Sequence, residues 1–162
     1  MKRRVALLAL IVILLAIDQE TKILAREKLR GHSPKHFGVV TLIYAENTGA
    51  FLSIGANLPR RLRATIFDGI VTIALAAAAI VLFRGRMQSR GDEIALALII
   101  AGGVGNLIDR LRFAGRVTDF FYLAAGPLHT GVFNIADMAI TFGVAWLLLS
   151  WGFTRRRRAG VI

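Results

Sequence analysis

The chain has no cysteine. That excludes disulfide frameworks, cysteine nucleophiles, thiolate metal sites and iron–sulfur clusters, and no lipid is expected on a cysteine of its own. Histidine is scarce: His32, His36 and His129 lie in polar segments without ligand spacing, so no metal site built on them is expected. Acidic residues are few, 10 against 21 Lys and Arg, for a net charge of +11. Signatures of zinc peptidases, nucleotide-binding loops and serine hydrolases are missing. The serines Ser33, Ser53, Ser89 and Ser150 have no evident histidine or lysine base. The glycine-rich run Gly102-Gly103-Val104-Gly105 lies in an apolar stretch and reads as helix packing, not phosphate binding.

Apolar residues are abundant, at 56 % of the 162 residues, against an ordinary share of about 45–50 %. The mean hydropathy is +0.61. The charges are sorted into clusters between long apolar runs, which argues against a disordered chain, a coiled coil or a nucleic-acid binder. The reading is one integral-membrane domain, 1–162. A hydrocarbon core of about 30 Å needs about 20 mostly apolar residues per helix. Four stretches qualify, over about 5–25, 64–83, 94–111 and 132–153. The first begins like a signal peptide, with Lys2, Arg3 and Arg4 before an apolar run. Asp18-Gln19-Glu20-Thr21-Lys22 follows in place of a cleavage site, so it reads as a retained span.

With the N-terminus inside, segments 1–4, 84–93 and 154–162 hold ten Lys and Arg in 23 residues. The outside segments 26–63 and 110–131 hold ten in about 60. Positive charge orients a chain most when dense and next to spans, so both termini are expected in the cytoplasm. Outside, 38–45 and 51–54 are β-prone around a turn-like Glu46-Asn47-Thr48-Gly49, which predicts a small sheet over about 38–54. The 112–131 loop, with Gly126-Pro127, reads as irregular.

Ionisable groups inside spans cost about 2.5–3.5 kcal/mol on insertion scales, yet several occur. Asp18 and Lys22 end the first span, Asp68 opens the second, Asn106, Asp109 and Arg110 end the third, and Asn134 and Asp137 open the fourth. All fall at the outer level, where Asp119 and Asn47 lie in loops, and the inner halves read as almost wholly apolar. Asp18, Thr21 and Lys22 share a helix face, as do Gly102, Asn106 and Asp109, and Asn134, Asp137 and Thr141. Such groups can serve merely as glue between helices. Asp18–Lys22 reads equally as an intrahelical ion pair, and Asp68 as a partner of Arg63. Asp119 and Asp137 are harder to explain as glue, because two close carboxylates cannot easily both ionise. Such a pair can share one proton and activate water for peptide hydrolysis. Sequence separation alone does not bring them together.

Five motifs carry a resemblance over nearly the whole chain. They are Asp18-Gln19-Glu20-Thr21-Lys22, Asn47-Thr48-Gly49-Ala50-Phe51, Gly105-Asn106-Leu107-Ile108-Asp109-Arg110, Gly115-Arg116-Val117-Thr118-Asp119-Phe120 and Phe133-Asn134-Ile135-Ala136-Asp137. In this order the chain resembles bacterial lipoprotein signal peptidases, also called signal peptidase II. The resemblance implies an all-α membrane protein, a four-transmembrane-helix bundle with a small extracytoplasmic β-cradle, in the bacterial inner membrane. It implies an aspartic endopeptidase whose partners are diacylglyceryl-modified prolipoproteins and membrane lipids. It would cut just before the lipidated cysteine, with no cofactor or metal and with its active site toward the outer face; nothing in the sequence suggests a symmetric partner, so a monomer is expected. By motif, Asp119 and Asp137 would be catalytic. Asn47, Asn106, Asp109, Arg110 and Asn134 would shape the site or hold substrate, and Asp18 and Lys22 would support it.

Two rivals remain at this level. A channel or transporter could use Asp18, Asp109, Asp119 and Asp137 as ligands for Mg²⁺ or Ca²⁺. A conduction path would need polar groups in both membrane halves. A lipid-headgroup enzyme would be expected to carry a metal-binding acidic run or a His/Arg phosphate set, and neither is evident.

Overall fold

Thirteen consecutive apolar residues, 5–17, set the character of the first helix. In the computed structural model, which describes residues 2–48, 59–85, 87 and 89–158, they lie within α1 (Lys2–Lys28). At 1.5 Å per residue its 27 residues span about 40 Å. Val5, Leu8, Val12 and Ile13 face outward, whereas Leu7, Asp18, Lys22 and Ala25 are buried. The remaining helices are α2 (Arg60–Arg84), α3 (Arg90–Arg112) and α4 (Ile135–Arg158). α3 packs against each of the others and forms the centre of the bundle.

Small residues make that central position workable. A Cβ at Gly102 would collide with the Ala136 carbonyl of α4, and one at Gly103 would lie 2.5 Å from Leu75 of α2. One at Gly105 would lie 2.5 Å from Asp18 Oδ2 of α1. The three glycines thus let α3 approach three different helices. Leu7, Leu82, Ala97 and Ile100 form the apolar core toward the N-terminal end of α3.

Large apolar side chains cover the outside, among them Ile70 and Ile73 of α2 and Phe142, Trp146, Leu148 and Trp151 of α4. The fully buried side chains of greatest volume are Lys22, Asn134, Asp18, Asp109 and Asp119. Polar inside and apolar outside inverts the soluble pattern and suits a lipid surround. Among the described residues, Arg90–Arg112 and Ile135–Gly152 are long and apolar enough to cross a membrane.

A four-stranded antiparallel sheet, ordered β1-β2-β3-β4, sits over the C-terminal end of α1. Its strands are β1 (Lys35–Phe37), β2 (Val40–Asn47), β3 (Val117–Ala125) and β4 (Leu128–His129). Ala25, Leu29 and Phe120 form the core beneath it.

Several sequence expectations change here. Glu46 and Asn47 are not a turn; they continue β2, paired with Thr118 and Val117. The 112–131 segment is not irregular, because it carries β3 and β4. Ala125 pairs with Leu128 around Gly126-Pro127. Gly126 has φ +60°, and proline's fixed φ suits the second position of such a two-residue hairpin turn. The bundle end at the N-terminus of α3 is not wholly apolar either: Asp92 and Glu93 are buried in the first turn of α3. The 51–54 strand, Ser53 and the Gly49-Ala50-Phe51 part of the second motif lie outside the described residues.

Candidate active site

Asn134 caps α4, and its identity dictates the local geometry. Its Oδ1 accepts from the Asp137 backbone N–H at 2.9 Å, and its own N–H donates to Asp137 Oδ2 at 3.1 Å. This reciprocal pair is a capping box with aspartate in the usual glutamate position. It fixes the Asp137 carboxylate at the helix mouth. The preceding residue, Phe133, exchanges two backbone hydrogen bonds of 2.8 Å with Phe121 of β3. That bridge brings the start of α4 beside Asp119.

Asn134 Nδ2 then donates to Asp119 Oδ1 at 2.7 Å. Asn106 of α3 donates through Nδ2 to Asp137 Oδ1 at 2.8 Å. Asn106 Oδ1 accepts from Lys22 Nζ at 2.9 Å and from Asn134 Nδ2 at 3.2 Å. An ammonium can only donate, so Lys22 fixes which way the Asn106 amide points. The side chain of Asn47, at the end of β2, also hydrogen-bonds Asp119.

Asp119 is 1 % exposed. Burial and then the neighbouring Asp137 charge raise its pKa to about 6, against the opposing pull of Asn134, Asn47 and Lys22. Neither Asp119 nor Asp137 forms an ion pair among the described residues.

A supporting layer lies behind the pair. Asp18 Oδ2 meets Lys22 Nζ at 2.9 Å, and Asp18 Oδ1 accepts from the Ala136 N–H at 3.0 Å. Asp18 thereby satisfies an orphan donor at the positive end of α4 and docks α1 there. Gln19 Nε2 donates to the Gly105 carbonyl at 3.2 Å, joining α1 to α3. Asp109 Oδ2 accepts from the Thr118 N–H at 2.9 Å, with Lys22 and Arg26 each 3.7 Å away. Asp109 Oδ1 is buried without a hydrogen-bond partner among the described residues. Since Asp109 is fully buried, it anchors the strand that carries Asp119 and does not face open space.

Eight of the nine residues singled out by sequence therefore meet: Asp18, Lys22, Asn47, Asn106, Asp109, Asp119, Asn134 and Asp137. Arg110 does not join them. Its Nε lies 4.0 Å from Asp68 Oδ1 of α2, so Asp68 has a partner on α3. Sequence reasoning missed Arg26, which donates to Thr118 Oγ1 at 2.8 Å and stacks over Phe113. Its place one turn after Lys22 on the same helix face was the available signal. It also missed Thr118, whose contribution is mainly backbone and leaves no mark in sequence.

A lipid-adapted helical bundle with two adjoining carboxylates, closed at one end by a small sheet, defines an integral membrane protein with an acid–amide centre. The sequence model of signal peptidase II matches residues 10–153. A lipoprotein signal peptidase of Geobacter metallireducens is 38 % identical over 147 residues, covering 90 % of this chain and 89 % of the relative. One of Moorella thermoacetica is 40 % identical over 148 residues, covering 90 % and 89 %. A solved bacterial membrane enzyme superposes with a TM-score of 0.76 at 25 % identity, covering 90 % of this chain and 92 % of its own. The chain belongs to the signal peptidase II family. It is a hydrolase, an aspartic endopeptidase by family, of the lipoprotein-processing kind.

Proposed function

We propose that the chain removes the signal peptide from diacylglyceryl-modified prolipoproteins, cutting just before the lipidated cysteine, with Asp119 and Asp137 activating water. The observation that carries this reading is the shared environment of the two carboxylates. A single residue, Asn134, holds both, and neither forms an ion pair among the described residues. Asp137 accepts hydrogen bonds on both oxygens, from Asn106 Nδ2 and from the Asn134 N–H, which hold its carboxylate in one orientation. Asp119, buried and raised to about 6, is the better keeper of the shared proton.

The step then runs as general acid–base catalysis. Asp137 takes a proton from water as the oxygen attacks the scissile carbonyl. Protonated Asp119 hydrogen-bonds the developing oxyanion. Collapse of the tetrahedral intermediate breaks the C–N bond, and a proton passes to the leaving amine of the cysteine. Asn106, held by Lys22, keeps Asp137 aligned. Asp18 and Asp109 position α4 and β3, and Asn47 closes the side of Asp119. Arg110 contributes through Asp68, away from the pair.

The single domain 1–162 lies in the inner membrane with four spans, α1 to α4, both termini cytoplasmic and the site toward the outer face. Support comes from the outward apolar faces and from helix directions. Arg3 meets Glu93 at one end of the α1–α3 pair and Lys22 meets Asn106 at the other, so these helices run parallel, as the alternating topology requires. The chain is read as acting as a monomer. Membrane lipid is the medium through which a substrate helix reaches the site. The cation-binding alternative is disfavoured by the use of Asp18 and Asp109 oxygens on Lys22 and on the N–H groups of Ala136 and Thr118.

The test is cleavage of a diacylglyceryl-modified prolipoprotein in detergent with chelator present. The wild type is expected to cut, and folded Asp119→Asn and Asp137→Asn are not. Chelator-sensitive cleavage, or both variants cutting as fast as wild type, would refute the metal-free dyad.

A further inference from the structure

At the far end of the bundle, α1 and α3 enclose a groove of about 450 Å³, within the usual range for small-ligand sites. Arg3, Arg90 and Glu93 line its mouth, and Leu7, Leu10 and Ile94 line its walls. Along α1 it runs from Arg3 to Leu10, 19 to 12 residues before Lys22, or about 28 to 18 Å at 1.5 Å per residue. It is therefore separate from the carboxylate pair.

The groove has two chemistries arranged by depth. Arg3 uses Nε on Glu93 at 2.6 Å, which leaves its two terminal nitrogens without an ion-pair partner among the described residues. Arg90 is exposed and forms no ion pair among the described residues. Lys2 and Arg4 flank the mouth in sequence, so positive charge is in excess there. One to two helical turns further in, the walls are wholly apolar. Ile94, Val5 and Leu8 are exposed beside it, on a surface adapted to lipid. A ligand that fits has a phosphate at one end and hydrocarbon at the other. A free phosphate would leave the apolar walls wet, and a lipid without net negative charge would leave the excess positive charge unbalanced, since Glu93 answers Arg3 alone and Arg90 forms no ion pair among the described residues.

We infer that this groove binds an anionic glycerophospholipid, with Arg3 and Arg90 on the phosphate and Leu7, Leu10 and Ile94 along an acyl chain. The lipid belongs to the leaflet on the N-terminal side, cytoplasmic in the topology proposed above. The inference rests on that membrane placement and not on the catalytic assignment. The bound lipid ties α1 to α3 at the end where Arg3–Glu93 is their exposed link.

The test uses the full chain, stripped of lipid in a neutral detergent, with adducts counted by native mass spectrometry and the melting temperature followed alongside. The probes are phosphatidylglycerol, phosphatidylcholine and inorganic phosphate. Phosphatidylglycerol is expected to bind one to one and to raise the melting temperature, and the other two to do neither. Arg90→Gln is expected to weaken phosphatidylglycerol at least tenfold while leaving cleavage and the lipid-free melting temperature unchanged. Leu10→Trp, which fills the wall, is expected to abolish the adduct. Equal binding of both lipids, a melting shift with inorganic phosphate alone, or wild-type binding by both variants would overturn the proposal. The adduct counts and melting temperatures need no turnover, so failure of the peptidase assignment would be seen separately.

Discussion

At the N-terminal end of α3 two buried carboxylates each have a partner of their own, whereas at its C-terminal end two carboxylates must share. Glu93 meets Arg3 at 2.6 Å. Asp92 accepts from the indole N–H of Trp146 at 3.2 Å and from Ser150, and its backbone N–H is capped by Ser89. Across the bundle, Asp18 and Asp109 are treated alike, with Lys22, Arg26 and backbone N–H groups around them. Asp119 and Asp137 are the exception. Both lean on asparagine amides, and one sits beside the other's charge. Burial of an acid therefore marks a cost but not a role. The role follows from whether the cost is neutralised locally or left to the ligand and the proton.

Neutralising the acids breaks this comparison most directly. Asp119→Asn or Asp137→Asn is expected to lower kcat by about 10³-fold, within the range for a lost acid or base. Asp92→Asn and Glu93→Gln should stay within about threefold, because acids held by their own partners at the far end take no part in proton transfer. Steady-state cleavage, normalised to the folded fraction, decides it. An Asp92→Asn loss as large as that of Asp119→Asn would show that the two ends do not differ in kind.

Stability separates the ends differently. Lys22→Met strips the cation from two buried carboxylates, at a cost of about 3–5 kcal/mol. Arg3→Gln removes the partner of Glu93, but Arg3 is 56 % exposed and screened, so about 1 kcal/mol or less is expected. Denaturant unfolding in micelles compares the two. A Lys22→Met variant as stable as Arg3→Gln would mean that the central network is not held by its ammonium group.

pH offers a third contrast. Asp119 holds its proton up to about 6 in the folded chain, against about 3.9 for a free aspartate. Between these values the native state binds a proton that the unfolded state has released, so stability falls as pH rises through that window. Asp119→Asn should flatten this slope, and Asp92→Asn should leave it in place. For the wild type, kcat/KM should decline above pH about 6 as the free enzyme loses the shared proton, with the apparent value belonging to the pair.

The polar centre was legible because acids stand out in apolar runs. Asp18, Lys22, Asn106, Asp109, Asn134 and Asp137 declared a common depth and, on each helix, a common face. The glycines of α3 were legible for the same reason, since a packing surface in lipid needs small residues. The sheet was only half legible. Glu46-Asn47 has turn chemistry, but pairing with β3 overrides local preference. In Val117–Ala125 an apolar run surrounds one aspartate and lacks the alternation that marks a strand. Asp92 and Glu93 follow Arg84, Arg86 and Arg90 and have the composition of a loop, and only tertiary packing buries them. Arg110 carried the motif but not the contact, because one residue of rotation turns it from the pair toward Asp68.

The smallest expected effects come from two backbone positions at opposite ends. Gly85, after α2, has φ +68°, and Gly115, between α3 and β3, has φ +82°. Alanine at either place adopts an unfavourable backbone conformation, costing about 1 kcal/mol. The energetic injury is therefore similar, but the surroundings are not. Gly115 N–H donates to the Arg110 carbonyl at 2.8 Å, and the turn delivers the Thr118 N–H to Asp109, one residue before Asp119. Gly85 N–H donates to the Leu82 carbonyl at 3.2 Å, and Leu82 packs in the apolar core with Leu7, Ala97 and Ile100. Gly115→Ala should thus lower kcat severalfold with KM little changed, because misplacing a reacting group by a fraction of an ångström is costly. Gly85→Ala should lower only the melting temperature. Equal losses of kcat in the two variants would mean that the strand carrying Asp119 is positioned by the fold as a whole, not by the short path from Asp109 through Thr118.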